Sequence, residues 1–146
     1  MTRAFTAEYP VRFGEIDHAG VMYYPAIFDR IHRAFEDFWP EAVGKSYAEV
    51  LDGDGIGFPL IDVQSNFSRP FRFGQTMRVE ICVVRIGSKS LTFRVRLRSA
   101  GEDTVYAEAR LVTAVIQMGA FQSTRLPAEY ATALKQYLLD PVEATE

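Results

Sequence analysis

The chain has 146 residues, 48% of them hydrophobic and 24% charged, and a formal net charge of −3. That length can bury one core without disulfide or metal staples, and the acidic balance speaks against a nucleic-acid partner, which normally meets a basic excess. The single cysteine, Cys82, excludes an internal disulfide and any multi-cysteine metal site. No apolar run approaches bilayer length, and the first residues lack a signal-peptide core, so a cytoplasmic location with no membrane partner is the expectation. There is no repeat or linker, which predicts one domain over 1–146.

In chain order, Phe5 to Phe13 reads as a first strand, with Pro10 marking an edge or bulge. A polar loop, EIDHAGVMYYP, runs from Glu15 to Pro25. From Ala26 to Trp39 the apolar residues Ile27, Ile31, Ala34, Phe35 and Phe38 recur at helical spacing, widened by Phe28 and Trp39. Pro25 suits the start of this helix and Pro40 predicts its end. His32 within it has no evident partner and is assigned no chemistry. Lys45 to Leu51 predicts a short helix, with Ser46 and Glu49 spaced as a capping box.

The pattern then turns to strands. FPLIDVQSNFS is the second. TMRVEICVVRI places Met77, Val79, Ile81 and Val83 on one face; its Cys82 reads as a buried, inert thiol. LTFRVRLR points Leu91, Phe93, Val95 and Leu97 inward and Arg94, Arg96 and Arg98 outward to a solvated face. TVYAEARLVTAVIQM predicts one long last strand, and LPAEYATALKQYLL a closing helix. One long helix with an antiparallel sheet is an α+β architecture.

The loop is more richly furnished than a turn requires. Motifs for other chemistries are missing: no GxSxG elbow, no HExxH, no glycine-rich phosphate fingerprint, and only two histidines, His18 and His32. What remains is carboxylate chemistry at a helix start. Unpaired N–H groups there favour developing negative charge, so an acyl carbonyl would find an oxyanion site made of backbone. Asp17 or Glu15 would then activate water or attack the carbonyl directly. Gly20 permits a tight turn, and Tyr23 and Tyr24 offer aromatic walls with polar tips. His18 is open to three readings: orienting a carboxylate, donating to the acyl carbonyl, or standing free in solvent.

The stretch FGEIDHAGVMYYPAIFDRIHRAFEDF resembles the N-terminal signature of the hotdog-fold acyl-CoA thioesterases of the 4-hydroxybenzoyl-CoA type. That signature is an acidic residue, any residue, Asp, two variable positions, Gly, a small apolar residue, then an aromatic pair before the helix. Here it reads Glu15, Asp17, Gly20, Val21, Tyr23, Tyr24 and Pro25. The later run from FPLIDVQ to VRL is similar to the family's central strands, so the resemblance covers most of the chain. It implies a hotdog, a long helix wrapped by an antiparallel sheet, assembled as a homodimer or homotetramer. It implies hydrolysis of an acyl-CoA thioester without metal or other cofactor. Asp17 matches the catalytic aspartate and the Tyr24 N–H the oxyanion donor; His18, Val21, Tyr23, Lys89 and Ser90 fall where substrate contacts are expected. One departure is that the turn RIGSKS carries fewer basic residues than in many relatives; Arg69 and Arg72 are candidates to supplement it. The alternatives are a hotdog hydratase or dehydratase acting on enoyl or hydroxyacyl thioesters, and a non-catalytic acyl-thioester-binding protein.

Overall fold

The computed structural model describes residues 2–145. Five antiparallel strands form the main sheet in the order β1-β4-β5-β6-β3, with β1 at Phe5–Pro10, β3 at Leu60–Phe67, β4 at Thr76–Ile86, β5 at Ser90–Ser99 and β6 at Ala107–Ala114. A small second sheet joins β2 (Ile56–Gly57), β7 (Ile116–Gln117) and β8 (Gln122–Ser123). The helix α1, Tyr24–Val43, lies against the main sheet.

Alternation along β4 and β5 builds the core. Val79 pairs with Leu97, Ile81 with Val95 and Val83 with Phe93, and all six are at most 1% exposed. The helix meets this face with Ile27, Ile31, Ala34, Phe35, Phe38 and Trp39. Phe35 and Phe38 set their rings edge-on to Phe93, with centroids 5.3 and 5.9 Å away. Each such aromatic contributes about 1.5–3 kcal/mol by burial, plus up to about 1.5 kcal/mol from ring geometry.

Pro40 does not end α1, which continues to Val43. Pro40 removes only the hydrogen bond to the Glu36 carbonyl, and both residues are exposed, so water can serve that carbonyl. Fully buried Trp39 holds the turn in place. The true end is Gly44, at φ 75°, whose N–H donates to the Pro40 carbonyl (3.1 Å). The Ser46–Glu49 capping box forms in both directions, at 3.1 and 3.2 Å, and opens a short helix that widens into a π-turn over Glu49–Gly53.

Other expectations change in detail. β1 stops at Pro10, and Phe13–Glu15 is a turn of 3-10 helix. The last strand is interrupted at Val115 between β6 and β7. The closing helix is α2, Ala128–Leu134, followed by a 3-10 turn over Lys135–Tyr137. Arg94 points outward yet is only 8% exposed. It donates to the Glu143 carbonyl (3.1 Å) and Arg110 donates to that of Ala144 (3.1 Å), so the C-terminal helix α3, Pro141–Thr145, covers this part of the outer face. Arg96 and Arg98 pair with Glu108 and Glu80. His32 has a partner after all: its Nε2 lies 3.0 Å from the Glu36 carboxylate, one helical turn on. Cys82 is buried, which pushes its thiol pKa up and keeps it unreactive.

Candidate active site

Loop 11–23 leaves the sheet where Pro10 pairs with Thr76, and returns to start α1. Its neck is a bridge between Ile16 and Met22. Above the neck, Asp17 organises the tip. The Asp17 N–H donates to the Val21 carbonyl (2.9 Å), the Gly20 N–H donates to the Asp17 carbonyl (2.9 Å), and the Ala19 N–H donates to Asp17 Oδ1 (2.8 Å). Gly20, at φ 83°, takes a conformation that a side chain would strain. Asp17 Oδ2 has no hydrogen-bond partner among the described residues, and the side chain is exposed. One carboxylate oxygen is thus held by the loop and the other is free.

Glu15 has a different task. Its carboxylate pairs with the Arg30 guanidinium, the two side chains being 13% and 11% exposed, and also accepts the Arg12 N–H (2.7 Å). Its carbonyl accepts the Tyr23 N–H (3.2 Å). Glu15 therefore fastens the loop to α1 and is consumed in doing so. His18 stands exposed at the tip with no hydrogen bond or ion pair among the described residues.

The first turn of α1 can be accounted for donor by donor. The N–H groups of Ala26 and Ile27 both reach the Tyr23 carbonyl, at 3.0 and 3.2 Å. Pro25 has no N–H, and that of Tyr23 is taken by Glu15. The Tyr24 N–H alone has no partner among these groups. A helix N-terminus usually offers several orphan donors; Pro25 and the tight turn at Tyr23 reduce this one to a single amide.

Tyr24 also borders a cleft of 250 Å³, lined by Met22, Tyr24, Ile27 and by Phe67, Ser68, Arg69 and Pro70. The far wall is the end of β3 and the turn after it. The alternating-strand reading gave no sign of this wall, although apolar residues at successive positions, Leu60 and Ile61, signal a strand without a plainly solvated face. β3 is an edge strand of the sheet. Leu60, Ile61, Val63 and Phe67 are 38–63% exposed along it. A second crevice, 160 Å³, follows the same helix–strand groove and is lined by Phe28, Ile31, His32, Phe35, Leu60, Leu111 and Thr113. The Phe28 and Phe67 rings meet edge to face, 6.0 Å apart, between the two.

Of the residues singled out from sequence, Asp17, His18, Val21, Tyr23 and Tyr24 share one loop–helix junction. Asp17 does not line the 250 Å³ cleft, which holds no carboxylate of its own chain. Lys89 and Ser90 lie elsewhere, in the β4–β5 turn at the other end of the sheet. Ten steps of β4 separate that turn from Thr76, about 33 Å at strand rise. In the same chain the two groups cannot touch one ligand atom. The Lys89 carbonyl accepts the Val115 N–H (2.9 Å), which ties the turn to the chain after β6.

A long helix wrapped by an antiparallel sheet is the hotdog fold, the architecture of a class of thioesterases. The chain belongs to the thioesterase-like superfamily, which matches residues 11–134. It is 31% identical over 106 residues, 68% of this chain and 68% of the other, to a 1,4-dihydroxy-2-naphthoyl-CoA hydrolase of Prochlorococcus marinus (strain MIT 9303). A crystal structure of a hypothetical protein from Thermus thermophilus superposes with a TM-score of 0.80 at 25% identity, covering 90% of this chain and 98% of that one. A 1,4-dihydroxy-2-naphthoyl-CoA thioesterase from Synechocystis shares the fold, with a TM-score of 0.79 at 21% identity over 91% of this chain and 96% of that one.

Proposed function

We propose that this chain hydrolyses an acyl-CoA thioester to the free acid and CoA, with Asp17 as the reacting carboxylate and the Tyr24 N–H as oxyanion donor. The observation that carries this reading is the unpaired Tyr24 amide. The thioester carbonyl accepts from that N–H at the positive end of α1, and the oxygen gains negative charge as its carbon becomes tetrahedral. Asp17 either takes a proton from the attacking water or attacks the carbon itself to give a mixed anhydride that water then cleaves. In both routes the C–S bond breaks, the thiolate leaves and is protonated as CoA. Tyr23, Val21 and His18 border the approach to the same carbonyl. The P. marinus relative is named for an aromatic acyl-CoA, and the ring-bearing rim here makes an aromatic acyl group the first to test.

The partner we propose besides substrate is a second copy of the chain, as a homodimer or homotetramer. β3 presents unpaired backbone and exposed Leu60, Ile61, Val63 and Phe67, an edge that soluble proteins ordinarily cover. Antiparallel pairing of two β3 strands about a two-fold axis sets the Leu60 end of one against the Phe67 end of the other. The Lys89–Ser90 end of the second sheet then faces the Asp17 end of the first, and only in this way do Lys89 and Ser90 enter the site.

Thiol release from a panel of aromatic and aliphatic acyl-CoAs tests the reading. Asp17→Asn keeps the loop hydrogen bond at Oδ1 and loses the anionic oxygen, so turnover falls by about a thousandfold or more while the ligand still binds. Undiminished turnover by this variant refutes it. Water addition to an enoyl thioester without thiol release would favour a hydratase instead.

A further inference from the structure

We propose that Arg69 and Arg72 are the phosphate-binding residues of this protein, holding CoA from the chain that also supplies the Tyr24 amide. The inference rests on the thioester-hydrolase reading only in taking CoA as the carrier. It is carried by the continuity of two grooves. The cleft at Tyr24 ends on Arg69 and Pro70. The same two residues open a neighbouring groove of 320 Å³, completed by Arg72, Gln75 and Tyr106. A ligand whose carbonyl sits at Tyr24 thus passes Arg69 and reaches Arg72 without leaving the surface of one chain.

The two guanidinium groups are free to take it. Both residues are exposed, and neither side chain makes a hydrogen bond or ion pair among the described residues. Arg30, Arg96 and Arg98 are occupied by carboxylates and Arg94 and Arg110 by carbonyls, while Arg85 and Arg125 also show no side-chain partner among the described residues, so it is their shared groove that sets Arg69 and Arg72 apart. Glu102 accepts from the hydroxyl of Tyr106, a residue of the groove, at 3.1 Å and from neither arginine. Unpaired guanidinium groups in a chain of net charge −3 suit a phosphate, which they bind in bidentate fashion.

Their backbone is fixed in advance. Phe71, between them, is fully buried and packs on Tyr106 with ring centroids 4.7 Å apart. The Met22 N–H donates to the Phe71 carbonyl (2.8 Å), which locks this turn to the start of α1. Ser68 and Arg69 both donate to the Tyr106 carbonyl, at 2.8 and 3.1 Å, and the Arg72 N–H donates to Gln75 Oε1 (2.6 Å). Only the two side chains have to be ordered on binding, which keeps the entropic cost low.

The test is calorimetric titration of the full chain with CoA and with pantetheine, which carries no phosphate. In Arg69→Gln/Arg72→Gln the affinity for CoA falls about a hundredfold, about tenfold for each arginine, while that for pantetheine is unchanged. A charge-matched control, Arg3→Gln/Lys135→Gln, on the far edge of the sheet, leaves both affinities at wild-type values. Arg69→Lys/Arg72→Lys, which keeps charge and loses the fork, recovers part of the CoA affinity. The proposal is overturned if the double glutamine variant binds CoA as the wild type does, if pantetheine binding falls as far as CoA binding, or if the control loses as much. None of these readouts requires turnover. A wild type that binds CoA through the arginines but releases no thiol from any thioester would contradict the hydrolase reading and leave this one standing.

Discussion

The oxyanion assignment can be tested by removing a single hydrogen atom's worth of function. Proline at position 24 would delete the proposed donor and little else. Tyr24 is the first residue of α1, where proline is favoured because its N–H would have no helical partner. Tyr23 already has φ −85° and ψ 154°, the extended conformation that a following proline requires. No hydrogen bond of the loop or helix uses the Tyr24 N–H, so the fold loses none. The side chain is 67% exposed, so its removal leaves no cavity. Tyr24→Ala serves as the reference that keeps the amide. From these points, Tyr24→Pro and Tyr24→Ala differ in stability by less than about 1 kcal/mol, a shift in Tm of about 4 °C at most. Their turnover differs much more: losing one oxyanion donor costs about 2.7–4 kcal/mol, or 10²–10³ in kcat. The assay is thiol release under saturating acyl-CoA, with Tm followed in parallel. If Tyr24→Pro turns over as fast as Tyr24→Ala while folding normally, the amide is not the oxyanion donor and the reasoning fails.

Two further predictions concern the frame around the site. Arg30→Met strands the mostly buried Glu15 carboxylate and destabilises by about 2–3 kcal/mol, below the full cost of a buried pair because both side chains keep some solvent contact; Glu15→Gln/Arg30→Met recovers part of this, and a double variant whose loss equals the sum of the Glu15→Gln and Arg30→Met losses in thermal unfolding would show that the pair is uncoupled. Asp54 accepts from Lys45 and from the Tyr130 hydroxyl, both at 2.6 Å, and the Lys45 contact foremost lowers its pKa. A depressed carboxylate pKa stabilises above the unfolded value of about 3.8 and is lost as pH falls through the folded one. Lys45 is shifted up by the same bond, so its share is present below the model-peptide value of 10.5 and lost as pH rises through the folded one. The Tm gap between wild type and Asp54→Asn is therefore widest near neutrality and narrows at both extremes; a gap independent of pH would deny the charge–charge origin.

The parts of this molecule that are local in sequence were legible in it. Period-two alternation placed Met77 to Val83 and Leu91 to Leu97 on the buried face because each residue's side is fixed by its own strand. The Ser46–Glu49 box was legible for the same reason, since both bonds span three residues. Pro40 misled because a proline near a helix end is decided by what packs there, and buried Trp39 outweighs one lost hydrogen bond. Arg94 misled because its cover, α3, arrives from 49 residues away. His32 found Glu36 at a spacing that was readable as a helical pair. In the site, unpaired amides at the helix start were legible from the helix pattern and Pro25, and Tyr24 among them only through the family resemblance, whereas the cleft's far wall depends on where β3 ends in the sheet. Glu15 already stood behind Asp17 in the sequence, next to the end of a strand; that Arg30 claims it is a contact set by the crossing of loop and helix.

The exposure of Asp17 bears on how the proposed reaction can be efficient. A carboxylate in water is a weak nucleophile and a weak base, and an amide donor is strongest where water is excluded. In a single chain neither condition is met: Asp17 is exposed, and the cleft beside Tyr24 is open to solvent along the β3 edge. The apolar residues needed to dry the site are present, but they lie exposed on that edge, with Phe67 in the cleft wall itself. Covering β3 with a second copy would desolvate the Tyr24 side of the cleft in the same step that buries Leu60, Ile61 and Val63. In the proposed mechanism assembly and catalysis are then one requirement, and specific activity falls on dilution in step with dissociation. A dilution series read by thiol release and by light scattering decides this: activity per chain that stays constant while the assembly dissociates would show that one chain is sufficient.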